Sequence, residues 1–222
     1  MATQLHPKTL SFLSSLKKNN NKPWFDKNKP AYEEIKDDIT SVAGELIREV
    51  SKFDPSISGM DPKKSVFRIY RDIRFSPDKT PYKTNIGFYM AKGGVKSPAA
   101  GYYVHIQPGN SFLGGGIWMP EADTLNKIRQ EIDYNFKDFK KVVESPAFKK
   151  RFGNLDNEEK LSRPPKGYEE DNPAIEYLKL KSFTAGTELS DSQVLGPGFV
   201  KDATKIFKEM YAFIQFLNNA VK

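Results

Sequence analysis

VFRIYRDIRFSPDKTPYKTNIGFYMAKGGVKSPAAGYYVHIQPGNSFLGGGIWM, Val66–Met119, is the stretch that decides the fold class. In its first ten residues Phe67, Ile69, Ile73 and Phe75 share one parity, with Arg71 in the same row. Val66, Arg68, Tyr70, Asp72 and Arg74 share the other, and successive strand residues point to opposite faces. That alternation predicts a strand over 66–75. The turn-rich SPDKTP follows, then a second strand over Tyr82–Met90 with Tyr82, Thr84, Ile86, Phe88 and Met90 on one face. Tyr102–Gln107 and Ser111–Met119 are the third and fourth, with Pro108-Gly109-Asn110 as a hairpin turn. Short strands joined by turns, without helices between them, imply an antiparallel sheet.

On both sides of this stretch the period changes to that of a helix. Upstream, Leu10, Leu13 and Leu16 predict a helix over Pro7–Lys18, which Asn19-Asn20-Asn21 ends because short amides favour caps and turns. KPWFDKNKP (22–30) is expected to be a loop that Trp24 and Phe25 anchor in the core, the alternative being a stacking platform. Pro30 is expected at the first helical position of a helix reaching Ser51, with an apolar stripe from Tyr32 to Val50. Downstream, Leu125, Ile128 and Ile132, then Phe136, Phe139, Val142 and Val143, mark a helical region after Pro120, and a short helix from Pro146 ends near Gly153. Leu155–Glu176 is a polar connection with seven acidic and three basic residues. A helix from Asn172-Pro173 to about Lys181, an edge strand over 182–189 and a last helix after Gly196-Pro197-Gly198 complete the chain. The expectation is one α+β domain over 1–222. Its mainly antiparallel sheet, 66–119 and 182–189, packs against N-terminal, central and C-terminal helices.

Composition narrows the chemistry. Hydrophobic residues make up 38% and charged residues 28% of the 222, values of a globular rather than a disordered chain. There is no cysteine, which excludes disulfides, thiol nucleophiles and zinc–thiolate sites. His6 and His105 are the only histidines, too few for a His-rich metal site, so neither a metal nor a cofactor is expected. No apolar run approaches the roughly 20 residues of a membrane span, and MATQLHPKTLSFLSSL lacks a basic segment followed by an apolar one, so a soluble, cytoplasmic protein is expected.

Charge is concentrated. Lys63–Lys83 carries Lys63, Lys64, Arg68, Arg71, Arg74, Lys79 and Lys83 against Asp72 and Asp78, a net +5 within a chain of formal charge +7. Guanidinium forks match carboxylate and phosphate oxygens at two points and stay charged when partly desolvated. Arg68, Arg71, Arg74, Lys79 and Lys83, with Tyr70 and Tyr82, are therefore the candidate site for a small anionic ligand bearing phosphate or carboxylate. Asp72, Asp78 and His105 are candidate acid–base groups or ion-pair partners. Arg71 is the sharpest of these, because an arginine in an apolar row needs a partner or a ligand.

The segments NNNKPWFDKNKPAYEE, FRIYRDIRFSPDKTPYKTNIGFYM, GYYVHIQPGNSFLGGGIWMPEADTLNKIR and LSRPPKGYEEDNPAIEYLKLKSF resemble, in order, a family of conserved bacterial proteins known as domain of unknown function 2461. The resemblance spans nearly the whole chain. It implies a single domain and supplies no activity. Members often have YKTH where this chain has YKTN, and Asn85 in that place argues against an essential imidazole there.

Other readings compete with an anion site. The arginines could be internal, each paired with Asp72, Asp78 or the acidic 155–176 connection. Tyr70, Tyr82, Tyr89, Tyr102 and Tyr103, interleaved with Lys and Arg, suggest a nucleic-acid or protein interaction face. Asp72 and Asp78 could hold Mg²⁺, but nothing completes a phosphoryl-transfer signature. Gly114-Gly115-Gly116 fits neither the dinucleotide fingerprint nor the P-loop, yet bare backbone beside Trp118 leaves room for a ligand. His105 is by default a satisfied strand imidazole.

Overall fold

The structure is a computed structural model, and it describes residues 4–222. Helix α1 (Lys8–Lys18) and the long α2 (Lys22–Ser51) lead, followed by a 3₁₀ turn at Pro55–Ile57 and the one-turn α3 (Pro62–Ser65). Strands β1 (Ile86–Ala91), β2 (Gly101–Ile106) and β3 (Ser111–Ile117) form a meander. Helices α4 (Ala122–Tyr134), α5 (Phe136–Val143), α6 (Pro146–Phe152) and α7 (Ile175–Leu178) intervene before β4 (Phe183–Leu189). The short α8 (Asp191–Leu195) and α9 (Phe199–Ala220) close the chain. The sheet is antiparallel throughout, in the order β1-β2-β3-β4. The architecture is α+β, as expected, including the edge strand near 182–189.

Only one face of the sheet is covered. Phe88, Met90, Tyr102, Val104, Leu113 and Ala185 point into a core shared with α2 and α9. Helix α9 supplies Phe207, Met210, Phe213, Ile214 and Leu217, all fully buried. It lies so close to β3 that a Cβ on Gly115 would collide with Met210 Sδ. Helix α2 brings the stripe Ile35, Ile39, Val42, Leu46 and Val50. Each large side chain of this kind contributes roughly 1.5–3 kcal/mol on full burial.

Two expectations are corrected. The sheet begins at Ile86 rather than Val66, because 66–75 forms no strand: it meets β1 at the isolated bridge Val66↔Phe88, and its second bridge, Tyr70↔Tyr82, lies outside the sheet. The carboxylates of this segment compete for its backbone: Asp72 accepts from Arg74 N–H at 3.3 Å and Asp78 from Thr80 N–H at 2.9 Å. Such side-chain bonds two residues on curl the chain into turns. The second correction is at 22–30, which is helix rather than loop. Asn21 caps α2 by accepting from Trp24 N–H at 3.0 Å, and Pro30 sits inside the helix rather than at its start. The aromatic cluster of Phe25 with Phe12, Tyr32 and Tyr82 holds this extra length against the core.

Candidate functional site

The face of the sheet turned away from α2 and α9 forms a groove of about 900 Å³. Strand register defines its floor. Gly87, His105, Phe112 and Glu188 make one row across the four strands; Tyr89, Tyr103, Gly114 and Gly186 make the next. Two glycines make room for tyrosines lying along the sheet. A Cβ on Gly87 would meet the Tyr103 hydroxyl, and one on Gly101 would meet the Tyr89 ring. Gly114 and Gly186 differ, since what comes nearest is backbone of the paired strand and the Phe112 ring edge, closer at Gly186 (Leu113 O at 3.1 Å) than at Gly114, and both line the groove.

A polar chain crosses the β2 side. The Tyr103 hydroxyl is 2.9 Å from His105 Nδ1, and His105 Nε2 is 3.0 Å from Gln107 Oε1. A neutral imidazole protonated on Nε2 satisfies both bonds, with Tyr103 donating to Nδ1 and Nε2–H donating to Gln107. Burial holds His105 below its ordinary pKa, the Gln107 bond opposing it. Burial also pushes the Tyr103 phenol up to about 12. The imidazole stacks on Phe112 with ring centroids 4.6 Å apart, and Asn85 Nδ2 lies 3.1 Å from both ring nitrogens. Tyr89 donates its hydroxyl to Ala99 O or Gly116 O, 3.0 Å from each, fixing the corner of the groove.

The two ends of the groove carry opposite charge. At the β1 end Lys83 lies half-buried over the Phe67 ring, 5.7 Å from its centroid. Desolvation, and then the nearby Arg68 charge, hold Lys83 below its ordinary pKa. Among the described residues Lys83 and Arg68 make no ion pair, unlike Arg71 and Arg74. At the β4 end stand Asp156, Glu158, Glu159 and Glu188. Asp156 accepts from the Thr184 hydroxyl at 2.7 Å and Glu159 faces Lys181 at 3.6 Å, whereas Glu158 and Glu188 make no ion pair among the described residues. Trp118, 78% exposed, stands at the rim beside Met119, whose φ of 44° lies in the left-handed region that non-glycine residues seldom occupy.

The basic stretch itself is divided. Lys83 and His105 line the groove. Arg71 staples its own loop, donating to Asp78, to the Thr80 hydroxyl and, at 3.3 Å, to Ser76 Oγ. Arg74 grips Asp72 through two bonds of 2.9 and 2.6 Å, and Lys79 donates to Ile73 O at 3.0 Å. Tyr82 is buried and stacked on Phe25, and Tyr70 packs edge-on against the same ring. The loop thus gives Arg71, Arg74 and Lys79 each a partner within it, while Arg68 stands beside Lys83. Phe67, Phe112, Gly186 and the acidic rim join the site without having been expected. The available signal was parity: Phe112, Gly114 and Gly116 fall on one side of β3, leaving bare backbone beside an aromatic.

The fold and groove define an α+β protein with one sheet face packed and the other open. The chain belongs to the family of conserved hypothetical proteins DUF2461, whose model matches residues 8–216. Comparison with curated proteins gives no match, and comparison with solved structures gives none. No helix among the described residues is long and apolar enough to cross a membrane, and no group of three or more His, Cys, Asp or Glu among them is placed to hold a metal.

Proposed function

We propose that this protein binds a small anionic ligand in the open groove, with the anion at Lys83 and Arg68. The observation that carries this reading is Lys83: a half-buried ammonium beside a second cation, with no carboxylate partner among the described residues. Partly buried charges are costly unless paired, and an arriving phosphate or carboxylate supplies the missing partner. Arg71 and Lys79 support the site by fixing the loop that returns the chain to Tyr82 and Lys83, whereas Arg74 holds only the neighbouring Asp72. The acidic rim at the β4 end favours a short ligand over a polyanion running across the whole face, which sets a nucleic-acid face below a small molecule.

A thermal-shift panel of inorganic phosphate, pyrophosphate, citrate and sugar phosphates at constant ionic strength tests the reading. A ligand at 100 times its Kd stabilises the native state by about 2.7 kcal/mol. For a chain of this size that moves the midpoint by about 5–10 °C. Lys83→Met is expected to abolish the shift and Arg68→Ala to weaken it, while Arg74→Ala leaves it intact. Shifts that persist in Lys83→Met at the size seen for the parent chain sink the reading.

A further inference from the structure

Resting on the anion reading, the rest of the groove says what else the ligand carries. Beyond Lys83 the walls are ring surfaces: Phe67 and Tyr103 lie 6.2 Å apart between centroids, Tyr103 meets Phe112 at 5.6 Å, and Phe112 stacks on His105. Beyond those rings the floor drops to backbone at the paired glycines Gly114 and Gly186. Neither glycine has a positive φ, and a Cβ on Gly114 would find its nearest neighbours at 3.4, 3.6 and 3.7 Å, ordinary contact distances. Packing and backbone conformation therefore do not require glycine at 114. The space above it is walled by Phe112, rimmed by Trp118 and bounded at β4 by carboxylates that repel an anion and accept hydrogen bonds.

We propose that the groove takes a planar aromatic ring joined to an anionic arm, the ring over Gly114 and Gly186 beside Phe112 and the anion at Lys83. Charge complementarity sets this orientation, because the anionic arm is attracted to the Lys83 end and excluded from the Glu158–Glu188 end. Donor groups on the ring edge, such as amino groups, would face those carboxylates. Two to three strand spacings separate the ends, so ring and anion stand about 10–14 Å apart. A nucleobase carrying phosphates and an aromatic ring carrying a carboxylate chain share this layout.

Calorimetric titration at constant ionic strength tests it with four probes. Adenosine 5′-diphosphate and 8-(indol-3-yl)octanoate, whose extended arms are long enough for this separation, carry ring and anion; pyrophosphate and adenosine carry one each. At least one ring-bearing anion is expected to bind 10-fold or more tighter than either half-probe, and which one does so tells a phosphate arm from a carboxylate arm. Gly114→Val is expected to weaken that probe by 10-fold or more with an unchanged unfolding midpoint, and Gly114→Ala by less. If Gly114→Val lowers the midpoint, Gly114→Ala carries the comparison. Pyrophosphate binding as tightly as adenosine 5′-diphosphate, dependent on Lys83 and indifferent to Gly114→Val, would overturn the ring while leaving the anion reading standing. Binding indifferent to Lys83→Met overturns both, and the absence of saturable binding by both ring-bearing probes overturns the ring.

Discussion

Two residues show how the sheet's sides differ. On the packed side Tyr102 is fully buried and donates its hydroxyl to Asp54 Oδ2 at 2.9 Å; Asp54 is itself 1% exposed. Burial, and then the Asp54 charge, push the phenol well above its ordinary value, so Tyr102 remains a donor throughout the working pH range. Tyr102→Phe keeps the ring and removes the donor, leaving the carboxylate with the Ser56 N–H and hydroxyl. The expected cost is about 1–3 kcal/mol in urea unfolding. On the open side His105 carries a lowered pKa. The unfolded chain then binds a proton that the folded chain refuses. Stability is expected to be flat above about pH 6.5 and to fall as pH drops from there to the folded pKa, levelling off below it. His105→Gln should flatten that slope in denaturant titrations across pH 5–8; an unchanged slope would show that His105 is not its source.

At the scale of elements, the segment 72–80 is a loop that Arg71 closes. Backbone bonds from Arg71 N–H to Pro81 O at 3.0 Å and from Lys83 N–H to Ile69 O at 2.8 Å pin its ends, and the Arg71 side chain fills its interior. Arg71→Met should leave the overall helix content unchanged while making cleavage after Arg74 and Lys79 by trypsin faster, since local opening exposes that backbone. Equal cleavage rates in both chains would remove Arg71 as the staple. The same loop explains where sequence legibility stopped. Strict alternation suits a strand, but a strand needs a ladder, and Asp72, Asp78, Ser76 and Thr80 offered this backbone and Arg71 nearer partners. The three meander strands, β4 and α9 were legible because period and turn residues agreed there. The KPWFDKNKP helix was not, because two prolines outweighed a cap at Asn21 and the distant rings that hold Phe25. Of the candidate site, Lys83, His105 and the bare backbone beside Trp118 were legible. The groove itself was not, because it depends on cross-strand register that joins Phe112 to Glu188.

The whole molecule is a sheet closed on one side by helices from both ends of the chain. Helix α9 contacts β3, α2, α4, α5 and α6, so the last element completes the core. Ending the chain at Gly198 would bare Tyr102, which packs on Phe207, and the β3 face around Leu113 together. The shortened chain is expected to lose cooperative thermal unfolding and its near-ultraviolet signal, and a sharp transition in it would mean that the remaining elements suffice. At the mouth of the open side matters differ: Phe67 and Trp118 are exposed, and among the described residues Lys83 and Arg68 make no ion pair, so these side chains contribute little to holding the fold. Changes at Lys83, Arg68 or Gly114 can therefore alter binding with little effect on folding.

Strand β4 has a consequence for how the chain reaches this state. Strands β1 to β3 are neighbours in sequence and can zip up as soon as they are made. The β3–β4 ladder runs from Ser111↔Leu189 to Ile117↔Phe183 and must wait for residues 118–182 to be gathered in. Closing so long a loop is entropically slow, and non-local pairing lowers folding rates. Until it happens β3 has a bare edge rich in glycine and free to pair with the same strand of another molecule. Refolding yield should accordingly fall with protein concentration before β4 docks, and the helices α4 to α7 act in time as well as in space, as the clasp that brings β4 home.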